Sequence, residues 1–185
     1  MFSSCGRNPN RSNKLSVELP RVCTLRTISK RNGKAGTTRD PERILWRHRS
    51  LALDTNIFIY QLEGNLRYSG AASAVFSWTA QAGHQAVTSS LTMTEILVHP
   101  YRHCGQNCAR DYYSLLVSYP NLAWIPTDLR IADRAARLRA DYRMRRPDAI
   151  QAATATVFWA TGLVTNDRIF ARVPDFETLV FDDVS

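Results

Sequence analysis

The chain has 185 residues, 44% of them hydrophobic, and carries 24 Lys and Arg against 16 Asp and Glu for a formal charge of +8. That length sets one domain with room for a tail, and no apolar run approaches the roughly 18 residues of a membrane helix. Four cysteines are too few for a disulfide framework in a chain of this size, which points to a reducing cytoplasm.

The charge is uneven. Residues 1–49 hold twelve Lys and Arg and three acids, whereas residues 50–185 hold twelve and thirteen, so the folded part is near neutral. Residues 1–49 are rich in Arg, Ser, Asn and Gly without sustained apolar periodicity, and are expected to be a disordered basic extension. Its readings are a dispensable tail, a transit-like leader, a start called too early, or an RNA-binding arm.

From residue 50 short apolar runs alternate with longer amphipathic ones. "SLALD" (50–54) predicts a strand, and "NIFIYQLEG" (56–64) a helix closed by Gly64. A second helix is expected over 68–83, a strand over 84–90, and a short helix over 91–99 that stops at Pro100. Then come a helix (107–120), a strand (121–126), and a helix (127–144) with Thr127 as N-cap. A buried helix opened by Pro147 and closed by Gly162 is followed by strands over 163–167 and 178–183. Strands separated by helical runs argue an α/β fold around a parallel sheet.

In such sheets ligands bind beyond the carboxyl ends of the strands. Asp54 ends the first predicted strand, Glu95 lies one turn past the second, and Asp167 follows the fourth. Asp148 opens the helix leading into that fourth strand. Each has a plain structural explanation. Asp54 can cap a helix, Glu95 can complete a capping box with Thr92, Asp148 can complement a helix dipole, and Asp167 can make an Asx-turn. The apolar neighbours Leu91, Met93, Ile96 and Leu97 also suggest a sheltered Glu95. Their common edge is harder to explain that way. Like carboxylates about 4 Å apart repel by roughly 4 kcal/mol at an effective dielectric near 20, so a cluster calls for protonation or a cation. All-oxygen ligation favours Mg²⁺ or Mn²⁺, which suits phosphodiester chemistry.

Four blocks, "LALDTNIFIYQLEG", "SSLTMTEILVHP", "RRPDAIQAATA" and "LVTNDRIFARVP", in this order and spacing, resemble the PIN domain, and most closely its VapC-type toxin ribonucleases. The resemblance runs from about residue 50 to 183 and implies a three-layer α/β/α sandwich with a mostly parallel five-stranded sheet. It implies a Mg²⁺- or Mn²⁺-dependent endoribonuclease, with Asp54, Glu95, Asp148 and Asp167 as the catalytic, metal-holding acids. Asn56 and Thr165 fall where the family often has a supporting amide or hydroxyl. The partners implied are an RNA substrate, a cognate antitoxin protein and a second copy in a homodimer, with no membrane. The roughly fifty-residue extension departs from the pattern. The rival reading is a PIN fold that binds RNA or protein without turnover.

Weaker signals remain. Arg143, Arg145, Arg146 and Arg168 stand near the acids in sequence and are candidates for RNA phosphates, or solvated charges complementing a helix end. His99, His103, Cys104 and Cys108 crowd together, but their spacing fits no common zinc pattern and falls across a predicted loop.

Overall fold

The structure, a computed structural model, describes residues 41–183. Five strands, β1 (Ser50–Leu53), β2 (Gln85–Ser89), β3 (Leu122–Ile125), β4 (Gly162–Thr165) and β5 (Glu177–Val180), form one sheet in the order β3-β2-β1-β4-β5. Every neighbouring pair is parallel, with Ala52 opposite Val87 on one side and Leu163 on the other. The helices are α1 (Pro41–Leu45), α2 (Thr55–Glu63), α3 (Ser69–Thr79), α4 (Ser90–His103), α5 (Gly105–Val117), α6 (Leu129–Tyr142) and α7 (Arg146–Val157).

Alternation along β1 separates the layers. Leu51 and Leu53 point into a core with Ile57 and Phe58 of α2, Val75 and Trp78 of α3, Ile96 of α4 and Leu116 of α5. Ala52 points into a second core with Ile131, Ala135 and Leu138 of α6 and Ala149, Ala152 and Ala153 of α7. Helices on both faces satisfy a sheet whose strands are apolar on both sides, which gives the α/β/α sandwich. On the α7 side alanine meets alanine, so the helix backbone can approach the sheet closely.

Several local expectations change. α4 runs through Pro100 to His103, with Pro100 buried and its carbonyl accepting from the Cys104 N–H at 2.8 Å. Packing of the proline inward offsets a break that proline would cause in an isolated helix. The cap of α6 is Asp128, whose carboxylate accepts from the Ile131 N–H at 2.8 Å, and Thr127 stays outside. α3 ends at Thr79, short of Gly83. α7 ends at Val157 on a left-handed Trp159 (φ 57°), while Gly162 is the first residue of β4. A Cβ on Gly162 would lie 2.8 Å from Leu51 and 3.1 Å from His48, so that position is empty for packing rather than for a turn. Gly64 does close α2, in the left-handed conformation at φ 61°.

Of the expected extension, residues 1–40 lie outside the described residues. Within residues 41–49, α1 is helical, and Leu45 and His48 are buried. No helix among the described residues is long and apolar enough to cross a membrane.

Candidate active site at the carboxyl edge of the sheet

The chain builds the sheet outward from β1, first through β2 to β3, then back on the other side through β4 to β5. The connections after β1 and β4 therefore leave in opposite directions, and a crevice opens between them at their carboxyl ends. Asp54 sits at the tip of β1, in that crevice.

Asp54 is both cap and site. Its Oδ1 accepts from the Thr55 N–H at 2.8 Å, starting α2. Its Oδ2 accepts from Thr165 Oγ1 at 2.6 Å and Asn56 Nδ2 at 2.9 Å. Thr165, at the end of β4, also accepts from the Asp167 backbone N–H at 3.0 Å, tying the two strand tips together. Burial pushes the Asp54 pKa up to about 6; the bonds from Thr165 and Thr55 oppose the rise, and the charges of Glu95 and Asp148 add to it.

The other acids approach from three elements. Asp148 lies in the first turn of α7 with its side chain only 15% exposed. Glu95 projects from the second turn of α4, exposed rather than sheltered, and accepts from the Thr55 hydroxyl. The capping box does not form, since Ser89 caps α4 and Thr92 faces inward. Asp167 caps the 3₁₀ helix Arg168–Arg172 through the Ile169 N–H at 2.9 Å. Arg145 spans two of the acids, at 3.0 Å from Asp148 and 3.6 Å from Asp167. Arg143 and Arg146 are exposed, and Arg168 pairs with Asp183 at 2.6 Å.

The donor set suits a hard divalent cation, being carboxylates with neighbouring hydroxyl and amide oxygens and no His or Cys. The Asn56 Oδ1, on the amide that grips Asp54, is a buried acceptor with no hydrogen-bond partner among the described residues. Among the described residues no three His, Cys, Asp or Glu side chains already stand in a metal-holding arrangement.

Sequence reasoning passed over the buried polar groups beneath the acids. Gln151, one turn along α7 from Asp148, donates to the Leu53 carbonyl and accepts from the Ser89 N–H at 3.1 Å, joining the ends of β1 and β2. Thr88 and Thr92, four residues apart, meet at 3.0 Å. The available signal was polarity without reason, in a threonine pair of helical spacing and a glutamine amid "AIQAATA". His99 and His103 lie on α4 with ring centroids 4.6 Å apart, Cys104 is the single residue joining α4 to α5, and Cys108 is in the first turn of α5, so the segment is not a long loop. A hydrogen bond to Cys104 pushes the Cys108 thiol up to about 11, and nothing there holds three metal donors.

The PIN domain family model matches residues 51–175. The chain belongs to the PIN domain family. Among solved structures, one chain of a toxin–antitoxin complex from Klebsiella pneumoniae is 26% identical, with TM-score 0.54, covering 71% of this chain and 97% of that one. A chain of VapBC-1 from nontypeable Haemophilus influenzae is 18% identical at TM-score 0.56, covering 72% and 98%. One of FitAcB from Neisseria gonorrhoeae is 18% identical at TM-score 0.54, covering 71% and 97%. The last two likenesses concern the fold. No protein of curated function matches the sequence.

Proposed function

We propose that this PIN domain is a divalent-metal-dependent endoribonuclease and the toxin of a toxin–antitoxin pair. The observation that carries the reading is Asp54 at the switch point of the sheet, gripped by Asn56 and Thr165, with Glu95 and Asp148 close enough to raise its pKa. Membership in the PIN family supports it, as does the likeness to a chain of the Klebsiella toxin–antitoxin complex.

Asp54, Glu95, Asp148 and Asp167 would hold Mg²⁺ or Mn²⁺. When bound, such an ion makes water a better nucleophile at neutral pH and neutralises charge gathering on the phosphate. Thr165 and Asn56 keep Asp54 aimed, and Glu95, the most exposed of the group, accepts a proton from the attacking water. Attack in line with the 3′ oxygen then breaks the phosphodiester bond. Arg145 is a fork-shaped donor at the rim, suited to a flanking phosphate once released from Asp148 and Asp167, with Arg143 and Arg146 beside it. The same pairing supports an antitoxin that presents its own cation to these acids. The reading includes a homodimer, which light scattering of the purified protein checks.

The rival reading, a PIN fold that binds without turnover, draws on one observation, that Arg145 already neutralises two of the acids. One experiment separates them. Purified protein, freed of any co-purified antitoxin, is incubated with a panel of structured RNAs with and without Mn²⁺, beside Asp54→Asn. The nuclease reading expects Mn²⁺-dependent cutting that Asp54→Asn lowers on the order of a hundredfold or more. Stable RNA binding without cutting would leave the binding module.

A further inference from the structure

Beneath the acids lies a row of hydroxyls. Thr55 Oγ1 contacts both Glu95 and, at 3.2 Å, Thr92 Oγ1. Thr92 is also 3.0 Å from Thr88 Oγ1, which stands 3.4 Å from Gln151 Nε2 and 2.8 Å from the Leu53 carbonyl. A hydroxyl has one hydrogen to donate, and a carboxylate has none. Thr55 therefore directs its hydrogen to Glu95 and accepts from Thr92. The Thr88 hydroxyl gives its one hydrogen to the Leu53 carbonyl at 2.8 Å and packs against Thr92 Oγ1 at 3.0 Å. Thr88 accepts from one hydrogen of the Gln151 amide, while the other serves the Leu53 carbonyl. Thr88 and Gln151 thus turn their hydrogens to the end of β1, while Thr92 and Thr55 turn theirs toward Glu95.

Three of these four donors are nearly inaccessible, with Thr92 at 1%, Thr88 at 0% and Gln151 at 5% exposure. Buried polar groups are costly unless satisfied, so these hydroxyls are held in place by the contacts they make with one another and with the end of β1. Glu95, by contrast, stands exposed on α4. We propose that Thr92 is a positioning residue: its buried hydroxyl, seated against Thr88, donates to Thr55 and so keeps the Thr55 hydroxyl turned to the Glu95 carboxylate over the strand ends. This rests on the nuclease reading for its purpose, although the contacts themselves do not.

The test uses the full-length protein with Thr92→Val, which keeps the shape and removes the hydroxyl, and Thr92→Ser, which keeps the hydroxyl. Mn²⁺ affinity is read from the free-ion EPR signal, and RNA cleavage as kcat and KM. Thr92→Val is expected to weaken Mn²⁺ binding and lower kcat by about 10–100-fold. KM for RNA stays unchanged, because a buried threonine touches no RNA. Thr92→Ser is expected to recover to within about threefold of wild type. Wild-type Mn²⁺ affinity in Thr92→Val, or equal failure of the Ser and Val variants, would overturn the proposal. Should Thr92→Val not fold, Thr55→Val removes the last link on a partly exposed residue and carries the same expectations. A double-mutant cycle of Thr92→Val with Glu95→Ala, by urea unfolding of metal-free protein, tests the positioning apart from catalysis. Coupling above about twofold in the unfolding constant is expected, and additive effects would overturn it. If wild-type protein binds Mn²⁺ but cuts no RNA, the nuclease reading fails alone, and the Mn²⁺ affinity of Thr92→Val still decides the positioning role. A wild type that binds no Mn²⁺ would overturn the positioning role.

Discussion

Asp54 accepts three hydrogen bonds and still has a pKa raised to about 6 from 3.8, because desolvation outweighs the donors and two like charges stand nearby. The folded state thus binds the proton more readily than the unfolded chain. Stability is unaffected below pH 4 and falls as pH rises through 6, where the folded protein must hold an unfavourable charge. Metal-free Asp54→Asn is expected to be more stable than wild type by about 1–2 kcal/mol at pH 7.5 and equal to it at pH 4. Urea titrations at the two pH values check this; the same difference at both would show that the charge is not the cause. Saturating Mn²⁺ should reverse the order at pH 7.5, since the wild-type charge then has a partner. A residue kept at a cost to the empty fold is the pattern expected of a functional group rather than a cap.

At the scale of the element, helix ends were the least legible. α7 closes on Trp159, which is 83% exposed and left-handed, where glycine is the usual solution. Its N–H donates to Thr156 at 3.2 Å and the Ala160 N–H to Ala155 at 3.0 Å, so the closing hydrogen bonds are made despite the side chain. A bulky residue in this conformation costs about 1–2 kcal/mol, and glycine there gives back part of that as backbone entropy. Trp159→Gly is expected to stabilise by about 0.5–1 kcal/mol, read as a rise in the urea midpoint without change in slope. A fall would mean that the indole makes a contact worth more than the strain. α4 shows the opposite case. Pro100 carries a strong local stop signal, yet the helix continues because its burial and the turn into α5 outweigh a missing N–H. Asp128 over Thr127 was a choice between two good caps, which composition does not rank.

For the whole molecule, the spacing between α7 and the sheet is what brings Asp148 to Asp54. That spacing is set by Ala52, Ala149, Ala152 and Ala153 in one core. Ala152→Leu forces three extra carbons into it, with an expected loss of about 1–3 kcal/mol by thermal or urea unfolding. Because α7 must move outward, cleavage should fall by more than the folded fraction does. Activity that tracks the folded fraction alone would show that Asp148 does not depend on that spacing.

Much of this plan was written along the chain. Apolar runs of strand length between helical ones set an α/β sheet, and acids just past those runs had to fall on one edge, because every parallel strand points its carboxyl end the same way. Asp54, Glu95 and Asp167 could therefore be placed near one edge from position, and Asp148 at the start of a helix that leads into the fourth strand. Which groups touch them could not be named. Asp54 is met by Thr165, 111 positions away, and Glu95 by Thr55, 40 positions away, and which hydroxyl reaches which carboxylate is decided by how the helices seat on the sheet. Periodicity reports which face a side chain takes. Only the packed layers decide what it meets there.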